Sequence, residues 1–214
     1  MTGRTVESEL KFIAADERPL DALAAAADLG PARLGKTTSV YEVDRYLDTT
    51  DLRLAARHWA CRLRERGGRI VISLKGPAEQ AAGDHLHRRP EVEGPGGEGL
   101  EPSAWPPSAA RDLLLNLADA AALHERFHLE QRRGERQVTV GGEVVGTLSL
   151  DRARVIHQGT EAGRLLVVEL EMLPAALEAG LDVEPLAAAL GAIPGLRPDL
   201  SSKLEHALAL LPGS

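Results

Sequence analysis

The sequence predicts an α+β fold in which one antiparallel sheet closes around a charged lumen and carries its helices on the outside. Three observations lead there. Apolar, β-branched runs separated by glycine turns dominate the second half of the chain, from QVTV through Gly141-Gly142 to GRLLVVELEML. Strand after strand places charged residues at every second position, opposite an apolar set. The helical stretches carry Ala/Leu stripes that can cover an apolar outer face.

VESELKF (6–12) sets the pattern. Within a strand over 4–12, Glu7, Glu9 and Lys11 share one face, while Val6, Leu10 and Phe12 point outward under helices. ERPLDALAAAADLG (17–30) reads as a helix with Leu20, Leu23, Ala24 and Ala27 as its stripe, stopped by Gly30-Pro31. SVYEVDRYLDTT (39–50) mixes β-branched and aromatic residues and ends in a turn-like DTTD. WACRLRERGGRIVISLKGP (59–77) reads as a hairpin turning at Gly67-Gly68 and closed by Gly76-Pro77. AEQAAGD (78–84) is loop-like, and HLHRRPEVEG (85–94) is a strand that runs into GPGGEG (94–99). A helix over 103–123 starts near Pro107, a favoured first-turn residue. Three consecutive antiparallel strands follow, FHLEQRRGERQVTV, EVVGTLSLDRARVI and GRLLVVELEML, and helices around 174–190 and 199–211 finish the chain. No tandem repeat or linker divides it, so a single domain over 1–214 is expected.

Composition bounds the function classes. A net charge of −7 argues against a general nucleic-acid binder and leaves room for a small anionic ligand. The one cysteine, Cys61, has no partner for an internal disulfide and fits a reducing compartment. There is no apolar signal core and no apolar run approaching the ~18 residues that cross a bilayer, so a cytoplasmic protein without a membrane partner is expected.

The charged alternation recurs. Arg62 and Arg64 oppose Cys61 and Leu63, and Ser73 and Lys75 oppose Ile72 and Leu74. Arg89, Glu91 and Glu93 oppose Pro90 and Val92. Ser149 and Asp151 oppose Leu148 and Leu150, and Glu169 and Glu171 oppose Val168, Leu170 and Met172. A wet face explains any one such strand. Repeated Glu-x-Glu and Arg-x-Arg across the sheet fits a lining better, and a closed sheet supplies the lumen. Buried charges must pair or bind ions. Glu7, Glu9, Glu91, Glu93, Asp151, Glu169 and Glu171 are hard oxygen ligands suited to Mg²⁺ or Mn²⁺. Lys11, Arg62, Arg64, Lys75, Arg89, Arg133 and Lys203 suit phosphate oxygens. Together they form a coherent site for a linear polyphosphate with metal.

Glu7-x-Glu9-x-Lys11 resembles the ExExK signature of the CYTH superfamily, also called triphosphate tunnel metalloenzymes. The resemblance continues in order through YLDTTDLRL (46–54), CRLRER (61–66), ISLKGP (72–77), RRPEVEG (88–94), LSLDRARV (148–155), VVELEML (167–173) and SSKLEHAL (201–208). It implies an eight-stranded antiparallel tunnel that binds triphosphate with a divalent metal. Glu7, Glu9, Glu169 and Glu171 would hold metal, helped by Asp151 or by Glu91 and Glu93. The seven cations named above would bind phosphates, and Glu7, Glu9 and Lys11 would carry the chemistry. Where the family often has a Lys-x-Arg pair, this chain has Gln131 and Arg133 with Arg132 between them.

The expected activity is hydrolysis of inorganic triphosphate to pyrophosphate and phosphate. The alternatives are class IV adenylyl cyclase, thiamine triphosphatase, and a non-catalytic polyphosphate-binding module of the kind fused to helical CHAD domains. MTGRTVESELK lacks the His-Phe pair usual upstream of ExExK in the cyclases, and with six aromatic residues no thiamine-stacking side chain stands out. Paired carboxylates favour catalysis over simple anion binding. Other signals are set aside. HERFH (124–128) matches the HExxH zinc pattern but has no third ligand and fits a strand. His85 and His87 read as surface residues, and GPGGEG lacks the Gly-Lys-Ser/Thr ending of a phosphate loop. Ser201 and Ser202 are expected to cap the last helix, with Lys203 in its first turn at the tunnel mouth.

Overall fold

The computed structural model describes residues 5–78, 86–119 and 121–212. The chain begins with β1 (Thr5–Ala14), α1 (Arg18–Ala25), β2 (Asp28–Leu29), β3 (Ala32–Leu34), β4 (Thr38–Thr49) and α2 (Arg53–Ala56). Next come β5 (Ala60–Arg66), β6 (Arg69–Lys75), β7 (His87–Pro95) and α3 (Ala109–Ala118). The long strands β8 (Leu123–Val140), β9 (Glu143–His157) and β10 (Thr160–Met172) follow. The chain ends with α4 (Pro174–Glu178), α5 (Glu184–Gly191), β11 (Leu196–Pro198) and α6 (Lys203–Ala209).

Hydrogen bonding runs β8-β4-β5-β6-β7-β1-β10-β9, and β9 pairs back onto β8 to close the ring. The result is the expected closed eight-stranded antiparallel barrel. The β2–β3 hairpin extends from β8, and β11 lies along β1. Among the described residues no helix is long and apolar enough to cross a membrane.

Two apolar layers cover the outside. Leu10, Phe12, Leu148, Leu150, Val168 and Leu170 pack with Leu20 and Leu23 of α1 and Leu186 and Leu190 of α5. On the other flank Cys61, Leu63, Ile72, Leu74 and Val92 pack under Ala110, Leu114 and Ala118 of α3. Each buried aliphatic side chain here contributes roughly 1.5–3 kcal/mol. Cys61 therefore lies under a helix, as its strand parity predicts.

The interior is not charged throughout. Val167 shares a face with Glu169, Ala153 and Val155 share one with Asp151, and Leu129 and Phe127 share one with Arg133. These apolar residues cluster with Tyr46 and with Ala207 of α6, and the Tyr46 and Phe127 rings stack 4.8 Å apart. One half of the barrel is thus an apolar plug sealed by α6, and the other half is the charged lumen.

Several boundaries differ from the sequence-based expectations. The helix expected over 17–30 stops at Ala25, because 28–34 turn back as a hairpin through Gly30 at φ +56°. A Cβ at Gly30 would come 2.9 Å from Ala189, so only glycine fits. The helix expected over 103–123 is α3 alone, with Ser108 accepting from the Arg111 N–H, since Leu123 already pairs with Thr49 in the barrel. The helix around 174–190 breaks into α4 and α5 about Gly180, at φ +83°. Val6 is 56% exposed rather than covered. Arg4, His85 and most of the loop 78–84 lie outside the described residues.

Candidate functional site

Strand register brings opposite charges side by side around the lumen. Glu7 faces Arg89 across β1 and β7, Lys11 faces Glu169 across β1 and β10, and Lys75 faces Glu91 across β6 and β7. Arg133 faces Asp151, and Asp44 faces Arg64. Many of these neighbours close into ion pairs. Lys75 donates to Glu7 at 2.6 Å and Arg89 Nε donates to it at 2.7 Å. Arg133 is bidentate on Asp151, both bonds 2.7 Å, and Arg64 is bidentate on Asp44, again both at 2.7 Å. Lys203, at the first turn of α6, reaches Asp151 and Glu169, the latter at 2.6 Å.

Arg62 is the exception. Its guanidinium lies 3.7 Å from Asp44 and 4.0 Å from Glu91 and Glu93, and its buried Nε has no hydrogen-bond partner. Glu171 forms no ion pair among the described residues, and Glu93 has only that 4.0 Å approach to Arg62.

Three connected spaces result. A small cavity of about 30 Å³ is lined by Lys11, Arg62, Lys75, Arg89 and Lys203, together with Glu169. It shares Lys11, Lys75 and Arg89 with a vestibule of about 470 Å³ that also exposes Trp59, His58, His87 and Leu200. Toward the other end, about 140 Å³ is bounded by Glu7, Glu9, Glu91, Glu93, Glu169 and Glu171, with Arg62, Arg64, Lys75 and Arg133. Five cations against one carboxylate make the small cavity basic, while six carboxylates meet four cations in the 140 Å³ space, with Arg62 and Lys75 lining both.

The titration shifts follow this polarity. Burial pushes the Glu7 carboxyl up, but Lys75 and Arg89 outweigh it and bring it down to about 2. Burial and the nearby Glu169 and Glu7 carboxylates push Glu9 up to about 7, despite Arg89 and Lys75. Burial, with Glu7 and Glu91 nearby, raises Glu171, and burial with Glu91 raises Glu93. Burial opposes ionisation of Glu169, yet Lys203, Lys11 and Arg133 hold it well below the usual carboxylate range. Burial lowers Lys11, and Glu169 and Glu9 compensate only in part.

Local structure fixes the vestibule wall. Asp48, 3% exposed, accepts from the N–H groups of Thr49, Leu54 and Ala55 and so anchors α2. The Trp59 N–H returns to the Leu54 carbonyl at 2.9 Å. The Trp59 ring lies over Gly76, where a Cβ would come within 3.1 Å of it.

The sequence-predicted site residues gather around the lumen, Arg133 rather than the exposed Arg132 included, but Asp151 is fully buried behind Arg133 and Lys203, and Glu93 and Glu171 are exposed at the rim. Glu42 and Asp44 on β4 were missed. Both are fully buried, and Glu42 holds Arg66 at 3.1 Å and accepts from Gln131 at 2.6 Å. Their signal was present as the Glu-x-Asp alternation of YEVDRY, hidden among aromatic and β-branched neighbours. His87 is half-buried in the vestibule wall rather than on the surface. Ser202 alone caps α6, in a reciprocal box with Glu205, and Lys203 is buried rather than at a mouth. HERFH lies within β8, where Glu125 binds Arg45 at 2.5 Å and His128 at 2.7 Å.

A family model described as the CYTH domain matches residues 6–184. The chain belongs to the CYTH family. Solved structures share the fold at low identity. An adenylyl cyclase candidate from Hippeastrum, described as having a dominant triphosphatase activity, superposes with TM-score 0.68 at 21% identity, over 96% of this chain and 98% of that one. An adenylate cyclase candidate from Bacillus halodurans gives 0.61 at 18%, covering 94% and 97%. A protein from Pyrococcus horikoshii gives 0.54 at 19%, covering 95% and 98%. No curated protein matches the chain.

The CYTH resemblance implies a divalent metal, and the donor set fits one in part. Glu9, Glu93 and Glu171 are oxygen donors raised first by burial and then by neighbouring carboxylates, and a hard cation would compensate both. Glu7, Asp151 and Glu169 are each held by two cations, and among the described residues no three acidic side chains converge on one ion position. Metal binding on this chain would therefore require some of these carboxylates to exchange partners.

Proposed function

We propose that this CYTH protein is a divalent-metal-dependent triphosphatase that converts inorganic triphosphate to pyrophosphate and phosphate. The observation that carries the reading is Arg62, a buried guanidinium with no hydrogen-bond partner at Nε, set among Lys11, Lys75, Arg89 and Lys203 in one small cavity. Asp44 and Glu91 favour its charge from 3.7 Å and beyond, but its buried Nε–H is left for a ligand oxygen to satisfy. Phosphate oxygens do so, through bidentate contact to Arg and point-charge contact to Lys. The triphosphatase activity described for the Hippeastrum structure is consistent with triphosphate hydrolysis in general.

Arg62 would receive the chain first, since it gives up no hydrogen bond to do so. Lys75 and Arg89 would then exchange Glu7 for phosphate oxygens, and Lys203 would share its charge between substrate and the Asp151–Glu169 pair. This cationic wall would neutralise the pyrophosphate as it leaves. Glu9 and Glu171, opposite each other across β1 and β10, would hold Mg²⁺ or Mn²⁺ together with a carboxylate released from its cations, such as Glu7 or Glu169, and the ion when bound supplies charge neutralisation and Lewis-acid polarisation.

Release of phosphate from inorganic triphosphate, ATP, thiamine triphosphate and long polyphosphate, with Mg²⁺ or Mn²⁺ and with chelator, tests the reading. Inorganic triphosphate should be turned over fastest, and Glu7→Gln or Glu9→Gln should abolish metal-dependent turnover. Tight binding without turnover of any substrate would refute it in favour of a binding module. Cyclic AMP as the product from ATP would point to a cyclase. A second reading, an organic triphosphate such as the thiamine ester, is favoured by Trp59, which gives the vestibule the flat aromatic surface that a ring system needs.

A further inference from the structure

We infer that Tyr46 touches the substrate: its phenol O–H and the Nε–H of Arg62 form a pair of donors for the oxygen that gains charge as the phosphoanhydride bond breaks. The inference rests on the triphosphatase reading and adds a neutral, directional donor to its cationic wall.

Tyr46 and Arg62 are register partners across β4 and β5 and line the same cavity of about 30 Å³. The Tyr46 ring belongs to the apolar plug, stacked on Phe127 in a cluster with Leu129 and Val167. Its hydroxyl end lies in the field of Asp44, Arg62, Lys203 and Arg64, so the ring closes the plug and the oxygen belongs to the lumen. The residue is 6% exposed, and its hydroxyl makes no hydrogen bond among the described residues. The buried Nε of Arg62 is in the same condition. A volume of about 30 Å³ holds one or two oxygen atoms, on the scale of about 10–15 Å³ for a water.

The cavity does not meet these donors itself. Its lysines and arginines only donate. Of the carboxylates at hand, Asp44 accepts both bonds of Arg64 at 2.7 Å, and Glu169 accepts from Lys203 at 2.6 Å and from Arg133 at 3.4 Å. Phenylalanine would fill the same place in the stack without burying a hydroxyl whose desolvation no bond offsets. The phenol oxygen therefore has a use only for an acceptor that arrives with a ligand, and it shares that acceptor with the guanidinium opposite.

A neutral donor does what the cations cannot. Lysine and arginine charges attract the polyanion as a whole, and its total charge does not change as a bond breaks. A directional O–H or N–H responds to the charge on one oxygen and strengthens as that oxygen becomes more negative. In the reaction, water oxygen forms a bond to the terminal phosphorus, and the bridging P–O bond breaks with its electron pair passing to the pyrophosphate oxygen. One proton passes from the water to solvent. Tyr46 keeps its own proton, because burial raises the phenol above its usual value and it donates without ionising.

Tyr46→Phe is the test, since it keeps the stack on Phe127 and removes one O–H. With inorganic triphosphate and Mg²⁺, kcat should fall about tenfold or more while KM changes less than about threefold and the urea midpoint does not fall. An unchanged kcat, or a loss confined to KM, would overturn the inference and leave triphosphatase activity standing. A second measurement reads the contact directly. The chain has two tyrosines, Tyr41 and Tyr46, so tyrosine labelled with ¹³C at Cζ gives two signals, assigned with Tyr41→Phe. Saturating inorganic triphosphate, added with chelator, should move the Tyr46 signal and leave that of Tyr41, which is 57% exposed on the outer face, in place. A Tyr46 signal that does not move refutes the contact. Should the wild-type protein hydrolyse nothing, the triphosphatase reading fails by itself, and the same titration still decides whether the phenol meets a phosphate oxygen.

Discussion

Replacing Glu9 by glutamine should stabilise the metal-free protein at neutral and alkaline pH while removing activity. Glu9 is 4% exposed and lies near the Glu7 and Glu169 carboxylates, and its carboxyl is raised to about 7 from an ordinary value of 4.5. Between those two values the folded state holds a proton that the unfolded chain has lost. Stability therefore falls as pH rises through that window, and the full cost is present above about pH 7. A difference of this size corresponds to about 3 kcal/mol at 1.36 kcal/mol for each pH unit. Glutamine keeps the shape and removes the charge. At pH 8, with chelator, Glu9→Gln should raise ΔG of unfolding by about 3 kcal/mol, or Tm by roughly 6–12 °C for a chain of this size. Near pH 4 the gain should shrink toward zero, because wild-type Glu9 is then protonated as well. Urea titrations of both proteins across this pH range make the measurement. Equal stability at pH 8, or a gain that persists unchanged at pH 4, would refute the claim that Glu9 is a strained anion waiting for a cation.

Other perturbations separate binding from folding. Lys203→Met should destabilise the fold by about 3 kcal/mol in urea, because Asp151 and Glu169 lose a buried partner and keep only Arg133 and the distant Lys11. Arg62→Ala should weaken triphosphate binding tenfold or more, about 1.4 kcal/mol by calorimetry, and unchanged affinity would remove Arg62 from the site. Trp59→Ala should lower kcat/KM for an organic triphosphate and leave inorganic triphosphate unaffected. An equal loss on both would make the tryptophan a structural wall. Asp48→Ala should cost about 1 kcal/mol in thermal stability, as expected for a lost cap, and should broaden Trp59 fluorescence.

Much of the fold is legible in the sequence because alternation is a local property. Glu7, Glu9 and Lys11 fall on one face of β1 whatever lies beside that strand, and the same holds for Arg62 with Arg64 and for Glu169 with Glu171. Helix lengths were less legible. Ala-rich segments have helical propensity without a stop, so the ends of α1 and α3 are set by the hairpin at Gly30 and by the pairing of Leu123 with Thr49. Glu42 and Asp44 escaped notice because their strand also carries Tyr46, which shares their face and belongs to the apolar plug.

The sequence by itself determined which side chains face inward, their chemical classes and the strand order that resembles a CYTH tunnel. Only the tertiary structure decided which charges meet. Pairing depends on register and closure, which set Arg133 on Asp151, Lys203 across Asp151 and Glu169, and Arg62 near Asp44 with its Nε left without a hydrogen-bond partner. The split between apolar plug and charged lumen arises in the same way. Polarity changes along each strand at a point that the strand's own period does not mark, and eight strands with α6 align those points into one boundary.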